Sequence, residues 1–150
     1  MKNWLYKGKE ITCLEDIENY ESIIGFVYRV TGPDGRFYIG KKVLQNSRKT
    51  RISKTEKAAT ATRKTFKRVT KESNWRDYYG SCDTLNANIK LLGKDKFKRE
   101  ILEFACTKKF LAFCEMEYQI KNDVLKNNSY NGNILSRYFT RDMENCTFKI

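Results

Sequence analysis

The sequence predicts a single domain of the α+β class, and three observations support this. The chain has 150 residues, of which 40% are hydrophobic and 13% aromatic, enough to bury one core. Two β-rich segments flank GPDG at residues 32–35, which indicates an antiparallel hairpin. Segments with helical periodicity follow at about residues 83–92 and 108–125. Strands and helices in this order predict one mixed domain over residues 1–150.

The first elements are short. WLYKGKEI at residues 4–11 predicts a small hairpin around a Lys-Gly-Lys turn. Thr12 and Glu15 have the spacing of a capping box, which predicts a helix over about residues 13–21.

The next element is the hairpin FVYRV-TGPDG-RFYIG, in which Pro33 and Gly35 suit a tight turn. A turn that pairs residue 32 with residue 36 places Tyr38 opposite Val30 and diagonal to Tyr28, on the same face of the sheet. The two phenols then converge on one patch, whereas a register shifted by one residue would place them on opposite faces.

The remaining elements alternate between helix and strand. Lys, Ala, Arg and Glu dominate residues 54–70 and predict a helix there. A helix capped by Ser81 or Asp83 is expected to end at Gly93. KFKREILEFA predicts a strand at residues 96–105, KKFLAFCEMEYQIKNDVL a long helix at 108–125, and SYNGNI a turn. The predicted order is βαββ, a basic helical insert, then αβα.

The positive charge is concentrated in one segment. The chain carries a formal net charge of +12, and residues 41–76, the basic insert, hold thirteen Lys or Arg against two acids. Phosphates release condensed counterions when lysine and arginine replace them, so such a segment predicts a nucleic-acid partner. A solvated basic loop without a specific ligand is the alternative.

Composition also excludes several classes of function. The chain has no histidine, which excludes HNH-type nucleases, histidine-ligated zinc and Ser-His-Asp catalysis. No apolar run reaches the roughly 20 residues of a membrane span, and the N-terminus lacks a signal-peptide core. We therefore expect a soluble, cytoplasmic protein that does not bind a membrane.

The motif pattern resembles the GIY-YIG nuclease family, particularly its phage-type members. The resemblance covers about residues 24–134 and includes VY at 27–28, YIG at 38–40, the basic tract, an acid on a later helix and YN at 130–131. Phe26-Val27-Tyr28 stands where the family has Gly-Ile-Tyr. The resemblance implies a small central antiparallel sheet flanked by helices, and hydrolysis of a DNA phosphodiester by an activated water.

The resemblance also implies roles for individual residues. Tyr28 matches the general base, and Tyr38 matches the tyrosine that orients water or phosphate. A phenol with a pKa near 10 is a poor base at neutral pH, so a cation such as Lys41 is needed to stabilise its phenolate, although Lys41 would equally suit a phosphate contact. The family's catalytic arginine falls ten positions after the YIG tyrosine, at Arg48, while Arg51, Arg63 and Arg68 are alternatives.

A carboxylate on the long helix is expected to bind Mg²⁺ or Mn²⁺. Glu115 and Glu117 both interrupt apolar rows, and the family register favours Glu115. One carboxylate with waters and substrate phosphate suits magnesium. Asn131 matches the family's C-terminal asparagine, which orients the metal side of the site or caps a turn.

Double-stranded DNA is the expected partner. Because the stretch after Asn131 is short, we expect any sequence preference to come from this domain, chiefly the basic insert, or from a partner protein. Trp75, Tyr78 and Tyr79 are expected to be core residues rather than a platform for bases. A non-catalytic DNA- or RNA-binding module is the alternative function. The residues expected to contact nucleic acid are Lys42, Arg51, Arg63, Lys64, Lys67 and Arg68.

Overall fold

A computed structural model describes residues 2–61 and 63–145. The centre of the fold is a five-stranded sheet in the order β2-β1-β7-β3-β4. The strands are β1 (Trp4–Tyr6), β2 (Lys9–Ile11), β3 (Gly25–Thr31), β4 (Phe37–Val43) and β7 (Lys98–Ala105). The β1–β7 pair is parallel and the other pairs are antiparallel, so the sheet is mixed rather than purely antiparallel.

The two faces of the sheet are covered by different elements. Helix α3 (Lys108–Lys121) packs its buried Leu111 and Cys114 on one face, against Val27 and Ile39. The other face is covered by helix α2 (Asp83–Leu92), which contributes Leu85 and Ile89. On this second face, Trp4 and Phe26 pack edge to face with ring centroids 5.0 Å apart. The described part of the chain is therefore an α+β fold around two hydrophobic clusters, as expected.

The predicted helix over residues 54–70 is wrong beyond its first half. Helix α1 spans only Lys54–Thr60 and ends at Ala61, which has a left-handed φ of 51°. Residues Phe66–Glu72 form strand β6, which pairs along its whole length with strand β5, Gln45–Arg51. The β-branched and aromatic residues of β6 favour a strand once a partner is present, and this overrides the helical propensity of Lys and Arg. We call the β5–β6 pair the ribbon.

The helix predicted over residues 13–21 is also wrong. The chain forms two single 3₁₀ turns there, Leu14–Asp16 and Tyr20–Ser22, separated by Asn19 with a φ of 56°. The Asp16 carboxylate accepts bonds from the N–H and hydroxyl groups of Thr12, 2.9 and 2.8 Å away. The carboxylate that caps this turn is therefore that of Asp16 and not that of Glu15. The first 3₁₀ turn does not continue into a helix.

The C-terminal part of the described chain closes over the edge of the sheet. Helix α3 ends at Lys121, four residues before the predicted limit, and Asp123 has a φ of 48°. A small hairpin, β8 (Asn133–Ile134) with β9 (Tyr138–Phe139), and helix α4 (Thr140–Asn145) follow. Among the described residues, no helix is long and apolar enough to cross a membrane.

Candidate active site

The β3–β4 hairpin has the predicted register. The Gly32 N–H donates to the Arg36 carbonyl at 2.8 Å, and Gly35 has a φ of 84°. Val30 lies opposite Tyr38, and Tyr28 lies opposite Gly40. The phenol rings therefore share a face, with centroids 6.2 Å apart and planes tilted by 42°. The predicted convergence of the two tyrosines is confirmed.

Gly40 makes this convergence possible. A Cβ at Gly40 would lie 2.6 Å from the Tyr28 hydroxyl and 2.9 Å from Cε1 of Tyr38. Both distances are shorter than any normal non-bonded contact, and the two rings are held by the sheet. The absence of a side chain at Gly40, the glycine of YIG, therefore leaves the space that the Tyr28 hydroxyl occupies.

We expect Gly40→Ala to displace the Tyr28 ring and to destabilise the fold by about 1–3 kcal/mol, the usual cost of overpacking. Cleavage should fall more than stability explains, because the hydroxyl is pushed from its position. Single-turnover cleavage and thermal melting measure the two effects. Gly25→Ala is the control, because its Cβ would overpack against the Leu111 side chain at 2.9 Å, on the face of α3 and away from the phenols. It should lower stability without the additional loss of cleavage. Full activity of Gly40→Ala would contradict this assignment.

The Tyr28 phenol is buried, with 1% of its residue surface exposed. Burial raises the pKa of Tyr28 well above its ordinary value, and the nearby phenols of Tyr38 and Tyr78 add to this rise. Tyr78 packs edge to face on Tyr28, with ring centroids 6.0 Å apart. In this state of the protein the phenolate is strongly disfavoured, so a nearby cation is required for Tyr28 to act as a base.

The two lysines after YIG point to opposite faces of the sheet. The Lys41 Nζ lies 3.9 Å from Oε1 of Glu115, on the side of α3. The Lys42 Nζ lies over the Tyr78 ring, 4.1 Å from its centroid, and burial lowers the pKa of Lys42. The structure thus places Lys42, and not Lys41, on the face of the phenols, because side chains alternate along a strand.

The two glutamates of α3 are distinguished by their surroundings. The Glu115 side chain is 19% exposed, and burial raises the pKa of its carboxyl, an effect that Lys41 partly offsets. Glu117 instead pairs with Lys121 at 3.7 Å along the helix. Glu115 lines a cavity of about 350 Å³ and Glu117 does not. The structure therefore brings Glu115 to the site.

This cavity lies at the outer edge of β4, where both faces of the strand can be reached. Most of the groups that line it are polar. Sequence reasoning placed Tyr38, Glu115 and Asn131 in the site but missed Ser81, Gln119 and Tyr130, which come from α3 and from loops distant in the chain. The residues that line the cavity and carry polar side chains include Tyr38, Ser81, Glu115, Gln119, Tyr130 and Asn131.

The Asn131 amide is fully engaged by the backbone of β4. Its Oδ1 accepts the N–H of Ile39 at 3.0 Å, and its Nδ2 donates to the Ile39 carbonyl at 2.8 Å. Gln119 donates to the same carbonyl at 3.0 Å. Asn131 therefore fixes the strand between Tyr38 and Gly40.

The predicted basic residues lie outside the cavity. Among residues 2–61 and 63–145, no arginine lines it. Arg48 is exposed on the ribbon opposite Val69, and Arg51 and Arg68 lie on the same ribbon. Arg63 and Lys64 lie in the connection that precedes β6, and Lys67 is paired with Glu56 of α1. The Arg36 guanidinium lies 4.1 Å from the ring centroid of Tyr130, a residue of the cavity wall.

The aromatic residues that follow the insert are mainly core residues, as expected. Trp75 and Tyr79 are 0% and 5% exposed. Tyr78 is half-buried against Tyr28, and its carbonyl accepts a 2.8 Å bond from the buried guanidinium of Arg99. Arg99 also bonds the Arg76 carbonyl at 2.8 Å. This buried cation therefore fixes the turn that presents Tyr78 to the phenol pair.

The residues present fit a divalent cation only in part. Among the described residues there is no group of three or more acidic or sulfur side chains that could enclose a metal. One carboxylate, from Glu115, faces a polar cavity together with the Ser81 and Tyr38 hydroxyls. Magnesium keeps several waters and is often held by one or two carboxylates with substrate phosphates, so the donor set fits a site completed by the substrate.

The sheet, with one phenol on the edge strand β4, a second on its neighbour β3 and a carboxylate beside them, is the arrangement of a GIY-YIG nuclease domain. Residues 4–141 match the family described as "Putative endonuclease segE, GIY-YIG domain", and the chain belongs to this phage-type family of endonuclease domains. No curated protein and no solved structure matches the chain.

Proposed function

We propose that this protein is a metal-dependent DNA endonuclease that hydrolyses a phosphodiester bond by attack of an activated water. The observation that carries this proposal is the convergence of Tyr28 on Tyr38, which lines one cavity together with Glu115, within a domain of an endonuclease family. The site offers a proton acceptor, a hydroxyl donor and an anionic ligand. These are the groups that water attack on a phosphate requires.

Each residue takes one part of the chemistry. Tyr28 accepts the proton of the attacking water, and Tyr38, held by a 3.3 Å contact with Ser81, orients the water or the phosphate. Lys42 supplies positive charge on the phenol face, which favours the Tyr28 phenolate, whereas Lys41 orients Glu115. Asn131 is a positioning residue that holds β4 in register with the cavity.

Glu115 is the proposed ligand for Mg²⁺ or Mn²⁺. When bound there, the cation would supply charge stabilisation to the phosphate oxygens. Arg48 is the proposed arginine for transition-state charge. Because it lies on the exposed ribbon, this role requires the ribbon to bend toward the cavity when substrate binds.

Nicking of supercoiled plasmid DNA tests the proposal. We expect conversion to the open circular form with Mg²⁺ or Mn²⁺ and none with a chelator. The product ends, analysed on a denaturing gel, should carry one phosphate per cut. Absence of cleavage with every divalent cation, while DNA is still bound, would instead support a non-catalytic binding module, for which the buried high-pKa Tyr28 is the specific support.

The basic insert is proposed to bind the phosphates of the duplex, so the affinity should depend steeply on salt. The logarithm of affinity should fall by about 0.9 per phosphate contact for each unit of log salt. Replacing Arg63, Lys64, Lys67 and Arg68 by alanine should flatten that slope. Fluorescence anisotropy across a salt series measures it. The control removes four exposed lysines outside the insert, Lys7, Lys9, Lys108 and Lys109, and an equal effect there would contradict the assignment.

A further inference from the structure

The ribbon has two faces with different surroundings. Side chains alternate along each strand, so four residues of β5 and four of β6 share one face. Gln45 and Glu72 lie at its base, and we call the six residues beyond them the open face. All six are exposed, and Phe66 is 55% exposed. On the opposite face, Thr50 and Val69 are half-buried, and Glu56 of α1 pairs with Lys67. The residues of the open face are Ser47, Lys49, Arg51, Phe66, Arg68 and Thr70.

The open face carries positive charge that the free protein does not neutralise. Lys49 lies directly opposite Arg68, and Arg51 follows two residues after Lys49. Like charges directly opposite in a pair of strands are destabilising. Within the described part of the chain, no carboxylate lies within 4.0 Å of these three cations, whereas Lys67 on the other face has its partner. The arrangement costs stability in the free protein, and a polyanion would relieve that cost.

We propose that the open face of the ribbon enters the major groove of duplex DNA and reads base edges. This inference rests on the proposed function and extends it to sequence recognition. The B-DNA major groove is about 12 Å wide and admits a two-stranded ribbon. Side chains on one face of a strand repeat every ~6.8 Å, about two base-pair steps.

The chemistry of the open face suits base edges as well as phosphates. Lysine and arginine donate to guanine O6 and N7, serine and threonine bond to several bases, and an exposed ring can contact the thymine methyl group. Ser47 pairs with Thr70, Lys49 with Arg68, and Arg51 with Phe66, so each step along the ribbon presents a different pair. Three such steps span ~14 Å, which predicts a recognised motif of about four base pairs.

The ribbon is joined to the candidate active site by a short connection. Strand β5 begins two residues after β4 ends, through the buried Leu44. The Ser73 N–H donates to the Leu44 carbonyl at 2.8 Å, which ties the two strands together at the base of the ribbon. Tyr38 and Ser47 are nine positions apart in this path, at most ~31 Å when extended. Cleavage is therefore expected within about one helical turn of the recognised motif.

Selection from a library of duplexes with a randomised segment tests the inference, with the full chain in a chelator so that no cleavage occurs. We expect the wild-type protein to enrich a motif of about four base pairs. Lys49→Gln with Arg68→Gln should lower affinity for that motif roughly tenfold or more and remove the enrichment. The matched control is Lys54→Gln with Lys71→Gln, which removes two exposed charges of the insert away from the open face. The control should retain the motif.

Two further measurements identify the groove. Methylation of guanine N7 in the motif should weaken binding, whereas a minor-groove ligand should not compete. An RNA duplex of the same sequence should bind more weakly, since its major groove is too narrow to read. No enriched motif, a motif unchanged in the double variant, or competition by the minor-groove ligand would overturn the inference.

These measurements are independent of cleavage. A motif with no nicking in Mg²⁺ would leave the ribbon assignment standing and remove the proposed nuclease function. Nicking without an enriched motif would leave the proposed nuclease function standing and remove the ribbon assignment. Circular dichroism and thermal melting of each variant confirm that the surface substitutions leave the fold intact.

Discussion

Tyr28→Phe is expected to reduce cleavage by roughly a hundred- to ten-thousand-fold, the range of a general-base contribution. The change retains the ring that packs against Trp4 and Tyr78 but removes the only proton acceptor of the side chain. Removal of one buried hydroxyl should change stability by about 1 kcal/mol. DNA affinity should be unchanged. Single-turnover cleavage with metal present is the measurement.

Tyr79→Phe is the matched control for this prediction. Tyr79 is also a buried tyrosine of the same cluster, and its hydroxyl has no hydrogen-bond partner among the described residues. Its removal should leave cleavage within a few-fold of wild type. A Tyr28→Phe protein that cuts normally would eliminate Tyr28 as the base. Joint loss of stability and binding would indicate that the phenol only packs.

Glu115→Gln should abolish detectable cleavage, a loss of roughly a hundredfold or more, because a metal ligand contributes several kcal/mol to the barrier. The fold should tolerate the change. Burial raises the pKa of Glu115, so the folded state disfavours its ionised form, and at neutral pH the neutral amide removes that cost. We therefore expect a melting temperature equal to or above that of the wild type.

Glu117→Gln provides the comparison. It removes the same charge only two residues from Glu115, but the Glu117 side chain lies outside the cavity. It should cleave like the wild type. Electron paramagnetic resonance measures the binding of Mn²⁺ by each variant in the presence of DNA. This gives a readout that is separate from cleavage. Normal activity of Glu115→Gln, or loss of activity only in Glu117→Gln, would reject Glu115 as the ligand.

Local signals in the sequence were sufficient for the elements that neighbouring residues determine. The GPDG turn sets the register of the β3–β4 hairpin, and that register brings the phenols together. Thr107 caps α3, where its hydroxyl accepts the N–H of Phe110 at 3.1 Å, so the start of that helix could also be predicted. These features depend on contacts only a few residues apart in the chain.

The ribbon could not be predicted in the same way. Residues 61–70 have the Lys and Arg content of an exposed helix, and nothing nearby signals that Gln45–Arg51 will pair with Phe66–Glu72. Strand formation there depends on a partner about twenty residues away. Composition indicates only the intrinsic propensity of each residue. Pairing between two strands about twenty residues apart outweighs that propensity.

The details of the site depend on the alternation of side chains along a strand and on contacts between residues that are far apart in the chain. Lys41 and Lys42 are adjacent in the sequence but lie on opposite faces, so a shift of one residue decides which of them can affect the phenols. Helical periodicity could not choose between Glu115 and Glu117. The bond from Asn131 to Ile39 spans 92 residues, and no local pattern indicates it.

The outer edge of β4 has a consequence for assembly. An edge strand with free backbone groups can pair with another copy of the chain. Here the N–H and carbonyl of Ile39 are occupied by Asn131 and Gln119, and the Phe37 carbonyl accepts the Tyr130 N–H at 2.7 Å. The side chains that build the cavity therefore also block strand addition at that edge. The hydrogen bonds that hold the cavity wall against β4 thus leave no free backbone group at Phe37 and Ile39 for a second copy of the chain.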